Sequence, residues 1–165
     1  MYVAVVGAGV DATEAQCALA EEVGALLAEA GATIVTGGLG GVMEAACRGA
    51  RSRGGFTVGL LPGVDREDAN GWVVLALPTG LGEARNALVV RAADAIVAIG
   101  GGWGTLSEIA LGVRAGVPVL GVGTWELARG GESVAGVRAV DDAGTAVAEA
   151  LRLAQIRHGI VTGDG

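Results

Sequence analysis

An α/β domain with a doubly wound parallel sheet is predicted by three features of the 165-residue chain. Short runs that are apolar throughout alternate with longer stretches whose apolar residues recur at helical spacing. That pattern belongs to strands buried on both faces beneath covering helices. Glycine is abundant, with 31 residues against roughly 12 at average usage. The glycines cluster where apolar runs end, which suits strand-to-helix turns rather than disorder. Apolar residues make up 52% of the chain and aromatic residues 3%, so the core is aliphatic, and a chain of this length can bury a full one. The expected architecture is a single Rossmann-like domain over residues 1–158 with helices on both faces, followed by a frayed tail over 159–165.

The elements follow in order. Tyr2 to Val6 reads as the first strand. Ala15, Leu19, Val23, Leu26 and Ala30 mark a helix over Thr13 to Ala30. Thr13-x-x-Gln16 opens it as a capping box, and Gly31 closes it. Thr33 to Thr36 is the second strand, Val42 to Arg51 the second helix, and Phe56 to Leu61 the third strand. Trp72 to Leu77 is a fourth strand with a helix over Glu83 to Ala92 behind it. Asp94 to Ile99 is the fifth, and a helix from Thr105 to about Arg114 follows. Val117 to Val122 is the sixth. A short strand near Val137 to Val140 precedes a helix from Asp141 or Asp142 to about Arg157. The polar segment Pro62 to Gly71 is either a flap over a site or a solvated connection.

Composition excludes several functions. Lysine is absent and all 11 basic residues are arginines, so Schiff-base chemistry and a Walker lysine are unavailable. A net charge of −7 without a basic stripe argues against nucleic-acid binding. Arg48, Arg51 and Arg53 lie near one helix end, where cations complement the dipole. Cys17 and Cys47 fall in alanine-rich helical stretches, read as small buried hydrophobes in a reduced compartment. Neither has the spacing of a zinc site, and no metal or resident cofactor is expected. No apolar run is long enough for a membrane span. The first residues lack the positive start of a signal peptide, so a cytoplasmic protein is expected.

In a doubly wound sheet, ligands sit beyond the carboxyl ends of the strands. Four glycine-rich loops fall on that rim: Gly7-Ala8-Gly9, Gly37-Gly38-Leu39-Gly40-Gly41, Thr79-Gly80-Leu81-Gly82 and Gly100-Gly101-Gly102-Trp103-Gly104. The last is the most informative. It joins the apolar run Ala95 to Ile99 to a helix, so bare amides and the positive end of the helix dipole meet at one place. Such a corner suits a phosphate. The candidate phosphate or nucleotide contacts are Gly37, Gly38, Gly41, Asn86, Gly101, Gly102, Trp103, Gly104 and Thr105, with Gly7, Gly9 and Glu44 as further pocket positions. Glu108 has two readings: a ligand-facing carboxylate, or the second half of a capping box with Thr105. Arg85 lies near a helix start, where it opposes the dipole unless an anion is close; otherwise it is a solvated surface arginine. Asn86 suits a ribose or base edge, or merely a turn. Glu44 suits a pocket or simply the dipole of its helix. Gly7-Ala8-Gly9-Val10-Asp11-Ala12 loosely matches a dinucleotide fingerprint. However, Asp11 brings negative charge there, and no acid ends the second strand, which disfavours a dinucleotide-dependent oxidoreductase. His158 reads as a cap or surface residue.

Gly101-Gly102-Trp103-Gly104-Thr105-Leu106-Ser107-Glu108 resembles the GGxGTxxE signature of the LOG (Lonely Guy) proteins, long mislabelled lysine decarboxylases. Gly37 to Ala46 resembles the family's other glycine motif, and the arginine-bearing segment matches at Arg85. The resemblance implies hydrolysis of the N-glycosidic bond of a nucleoside 5′-monophosphate, of cytokinin type or related, by a homodimer. It also implies that Arg85 and Glu108 form the catalytic pair and that Gly101 to Thr105 cradle the phosphate. Gly100 stands where those hydrolases usually carry proline, Asn86 where they carry lysine, and Glu44 where they carry glycine. In these features the chain is similar to a bacterial side branch that includes molybdenum-cofactor carrier proteins, which bind a pterin phosphate without turnover. The alternative expectation is therefore a non-catalytic binder of a phosphorylated cofactor.

Overall fold

The computed structural model describes residues 1–159. Its strands are β1 (Tyr2–Gly7), β2 (Thr33–Thr36), β3 (Thr57–Leu61), β4 (Leu75–Pro78), β5 (Ala95–Ile99), β6 (Val119–Val122), β7 (Ala128–Arg129), β8 (Glu132–Ser133) and β9 (Arg138–Ala139). Its α-helices are α1 (Glu14–Glu29), α2 (Val42–Ser52), α3 (Asn86–Arg91), α4 (Trp103–Ala115) and α5 (Ala143–Arg157). One parallel sheet has the order β4-β3-β2-β1-β5-β6-β9. The chain runs outward from β1 to β4, returns to pair β5 with β1, and then runs the other way. The order therefore reverses between β1 and β5, where a crevice opens at the strand ends.

Alternation along the strands builds two cores. Val3 and Val5 of β1 and Ala95, Val97 and Ile99 of β5 pack under α1, α2 and α5. Ala4, Val6, Ile96 and Ala98 face Val89 and Val90 of α3 and Ile109 of α4. All five residues of β5 are buried, as expected for a central parallel strand. The doubly wound, Rossmann-like architecture read from the sequence is the one present.

Element boundaries moved for identifiable reasons. The expected helix over Glu83 to Ala92 is a 3-10 turn (Gly82–Arg85) followed by the short α3. Thr79, Gly80 and Gly82 donate their amides to Leu61, Gly63 and Pro62, which ties this stretch to the end of β3 before a helix can start. The expected strand from Trp72 begins only at Leu75, because Asn70 holds the Trp72 amide in a side-chain turn at 3.0 Å. Asn70 also donates to the carbonyls of Gly38 and Leu39. The polar Pro62 to Gly71 segment is thus pinned to the second glycine loop as a connection, not poised as a flap. The hairpin of β7 and β8 was not anticipated, although Gly130 and Gly131, both at positive φ, are a two-residue hairpin signal.

The capping box of Thr13 and Gln16 is formed, and Asp142 caps α5. Among the three arginines read as dipole partners, Arg48 pairs with Glu21 and Arg53 with Glu29, while Arg51 bonds the Gly55 carbonyl. His158 caps α5 and pairs with Asp94 at 2.8 Å. Cys47 is buried and Cys17 half-buried, and both are free thiols. Beyond Gly159, the expected tail lies outside the described residues. Among the described residues no helix is long and apolar enough to cross a membrane.

Two helical glycines set the α1–α2 distance. A Cβ on Gly49 would overlap the Glu21 carbonyl, and one on Gly24 the Ala46 carbonyl. Helix propensity alone makes Gly49→Ala stabilising by about 1 kcal/mol. The close approach reverses the sign: separating the helices costs about 2 kcal/mol. The net loss is about 1 kcal/mol, and thermal denaturation is expected to show Gly49→Ala melting roughly 2–4 °C below the parent.

Candidate functional site

The crevice between β1 and β5 holds a cavity of about 500 Å³. Its walls come from the loop after β1 (Gly7 to Asp11), the start of α1 (Thr13, Gln16), Met43 of α2, Arg85 and Asn86, the loop after β5, and Gly104, Thr105 and Glu108 of α4.

Four helices begin at this cavity; α2 and α3 start without a side-chain cap, and α1 and α4 differ from one another. α1 satisfies its own first turn, with the Gln16 amide donating to Thr13 Oγ1 and the Thr13 amide to Gln16 Oε1. α4 starts at Gly102 with no side-chain cap. The expected box between Thr105 and Glu108 is therefore absent. The helix begins at Trp103, so Thr105 already lies in the first turn. Thr105, Glu108, Ile109 and Gly112 form its buried stripe. The uncapped amides of this first turn carry the positive end of the dipole.

The turn before α4 requires glycine. Gly100 and Gly101 have φ of 53° and 109°, a region that other residues avoid. A Cβ on Gly101 would also overlap the Thr105 side chain, and one on Gly100 the Gln16 amide. The loop is tied down by Thr124, which donates to the Gly100 carbonyl at 2.6 Å, and by the Trp125 indole N–H, which donates to the Gly102 carbonyl at 3.2 Å.

Arg85 is only 7% exposed. Gly37 makes room for it: a Cβ there would overlap the guanidinium. Its Nε has no hydrogen-bond partner. Burial pushes the guanidinium pKa down, and the nearby Glu108 charge opposes that shift. Glu108, also 7% exposed, is pushed up to about 7 by burial, against the pull of Arg85. Among the ion pairs of the described residues none joins these two. A buried guanidinium with an unpartnered donor beside open helix amides is an arrangement that suits an anion.

The structure gathers Gly7, Gly9, Arg85, Asn86, Gly101, Gly102, Gly104, Thr105 and Glu108 around this cavity. Asn86 Nδ2 donates to Ser107 Oγ at 2.9 Å, which links α3 to α4. Other candidates stand elsewhere. Gly37 lies behind Arg85, and Gly38 packs on Leu61 and Gly59. Gly41, at φ 68°, abuts the carbonyls of Ala8 and Gly9. These three shape the rim without lining the cavity. Glu44 is half-buried and outside the lining. Trp103 is 79% exposed and lines a neighbouring cavity of about 420 Å³. Sequence reasoning passed over Gln16, Met43 and Trp125. Gln16 was absorbed by its capping role, Met43 stood inside the second glycine motif without a role of its own, and Trp125 follows a strand end that carries only short glycine signals.

The family profile that matches this chain, over residues 1–163, is that of the SLOG cluster4 family. The chain belongs to that family. A relative in Archaeoglobus fulgidus, itself uncharacterised, is 42% identical over 116 residues, covering 70% of this chain and 76% of its own. The molybdenum cofactor binding protein of the phototrophic bacterium Rippkaea orientalis superposes with a TM-score of 0.81 at 32% identity, covering 92% of this chain and 94% of that one. The molybdenum cofactor carrier protein of Chlamydomonas reinhardtii does so with 0.81 at 33%, covering 92% and 97%. Membership of the SLOG family agrees with the motifs at Gly37 and Gly101, and these neighbours are of the carrier branch that Gly100, Asn86 and Glu44 suggested.

Proposed function

We propose that the protein is a non-catalytic binder of a phosphorylated cofactor, with molybdenum cofactor as the specific cargo. One observation carries this reading: the uncapped start of α4 and the buried Arg85, whose Nε has no partner, line one cavity at the sheet's reversal point. The donors there are the first amides of α4, the Arg85 guanidinium and the Thr105 hydroxyl, a set that fits a phosphate monoester. The likeness to two molybdenum cofactor proteins supports the choice of cargo. From the family resemblance we also take a homodimer or higher homo-oligomer, and from the charge of −7 and the lack of a long apolar run, no nucleic-acid or membrane partner. The exposed Leu75 and Leu77 on the edge strand β4 lend the dimer support.

A second reading keeps the phosphoribohydrolase activity, because Glu108 sits beside the phosphate corner with its carboxyl near neutrality. A group so poised can stabilise oxocarbenium charge or relay a proton to water. One experiment separates the two. The purified protein is titrated with 6-hydroxymethylpterin monophosphate and then incubated with AMP and N6-substituted adenosine monophosphates, while free base is followed by chromatography. Saturable pterin phosphate binding without base release is expected. Release of base that disappears in Glu108→Gln would install the hydrolase reading instead.

A further inference from the structure

Trp103 is the most conspicuous side chain that the phosphate site leaves unused. It is a large apolar group, 79% exposed, at the first position of α4. An exposed indole beside a cavity offers a rigid apolar face for contact. One side of its ring leans on Trp125, with centroids 5.3 Å apart and planes inclined by 39°. Trp125 is in turn fixed by its indole bond to the Gly102 carbonyl. The shelf is therefore held in place before any ligand arrives, which lowers the entropic cost of using it.

The space on the Trp103 side is a half-open cleft. It measures about 420 Å³, and Leu39 and Pro62 supply its apolar walls. It shares Arg85, Asn86 and Gly104 with the phosphate cavity. A ligand whose phosphate rests on the start of α4 can thus extend past Asn86 into this second space without leaving the protein. The pinned segment that follows β3 closes the far side at Pro62.

We infer that Trp103 is a specificity residue whose ring stacks on a planar heterocycle carried by the phosphorylated ligand, with the Leu39–Pro62–Trp103 cavity as the ring subsite. The inference rests on the phosphate reading above and adds where the ligand's ring sits: against the Trp103 side chain, a short linker away from the phosphate. The backbone amide of Trp103 serves the phosphate, and its side chain serves the ring. Changing the side chain therefore separates the two.

The test titrates the full-length protein, Trp103→Ala and Trp103→Phe with 6-hydroxymethylpterin monophosphate and AMP as ring-bearing probes. Ribose 5-phosphate is the ring-free probe. Loss of one stacking partner weakens a base by about tenfold or more. Trp103→Ala is expected to weaken at least one ring-bearing probe by that factor and to leave ribose 5-phosphate within about twofold. Trp103→Phe is expected to retain most of the ring affinity. Equal affinity for the ring-bearing probes in Trp103→Ala, or an equal loss for all three probes, overturns the stacking role while the phosphate reading stands. A smaller sedimenting mass in Trp103→Ala with unchanged ring affinity assigns the side chain to contact with a second copy and also overturns it. If no probe binds the parent protein, the phosphate reading fails and the ring subsite falls with it.

Discussion

Arg85→Ala is expected to weaken binding of 6-hydroxymethylpterin monophosphate by about 100-fold, or ~2.7 kcal/mol, while leaving the melting temperature of the free protein unchanged or raised. The two halves of this result come from the same observation. The guanidinium is buried, its Nε has no partner, and burial already disfavours its charge. In the free protein the side chain is a cost, so its removal does not destabilise. In the complex it becomes a desolvated, charge-assisted donor to an anion, and truncating such a partner costs about 2–5 kcal/mol. Arg85→Lys keeps a charge but loses the planar fork, so it is expected to recover only part of the affinity. Calorimetric titration at fixed salt measures the first half, and thermal denaturation the second. A variant that melts several degrees lower with unchanged affinity would make Arg85 a structural residue.

Glu108→Gln is expected to remove a pH dependence of stability. The Glu108 carboxyl is pushed up from 4.5 to about 7 by burial, a shift equivalent to about 3 kcal/mol. Because the folded-state value is the higher one, this contribution to stability is fully present below about pH 4.5 and is lost as pH rises through about 7. Glutamine mimics the neutral carboxyl at every pH. Parent and variant are therefore expected to melt together at pH 4, whereas at pH 9 the variant melts roughly 6–12 °C higher. The same group makes binding take up a proton. An anion arriving beside Glu108 raises its pKa further, so calorimetry near pH 7.5 in two buffers of different ionisation enthalpy is expected to show uptake in the parent and less in Glu108→Gln. Parallel melting curves across the whole pH range would mean that Glu108 ionises as an ordinary surface carboxylate.

The architecture was legible because it is written in local pattern. Ala95 to Ile99 is apolar throughout because both of its faces are covered, and Thr13 with Gln16 formed the cap that their spacing implied. The glycine turn before α4 was legible too, since Gly100 and Gly101 adopt backbone angles that glycine alone takes readily. What local pattern cannot carry is depth. Local pattern left Arg85 as either an anion's partner or a solvated residue at a helix start; it is buried, because Gly37, in the loop after β2, leaves a gap for it. Glu108 fitted a capping rule that failed because α4 begins two residues before Thr105, placing both side chains on the inward stripe. The Trp103–Trp125 pair joins the loops after β5 and β6, and only the pairing of those strands brings the two rings together.

The central claim is that a phosphate rests on the first amides of α4 at the reversal point of the sheet. The most direct measurement is a titration of 15N-labelled protein with 6-hydroxymethylpterin monophosphate followed by amide resonances. The account requires saturable shifts concentrated at Gly101, Gly102, Trp103, Gly104 and Thr105, with Arg85 Nε moving in parallel. Saturation with those resonances unmoved, or with the shifts gathered on another face of the sheet, would contradict it.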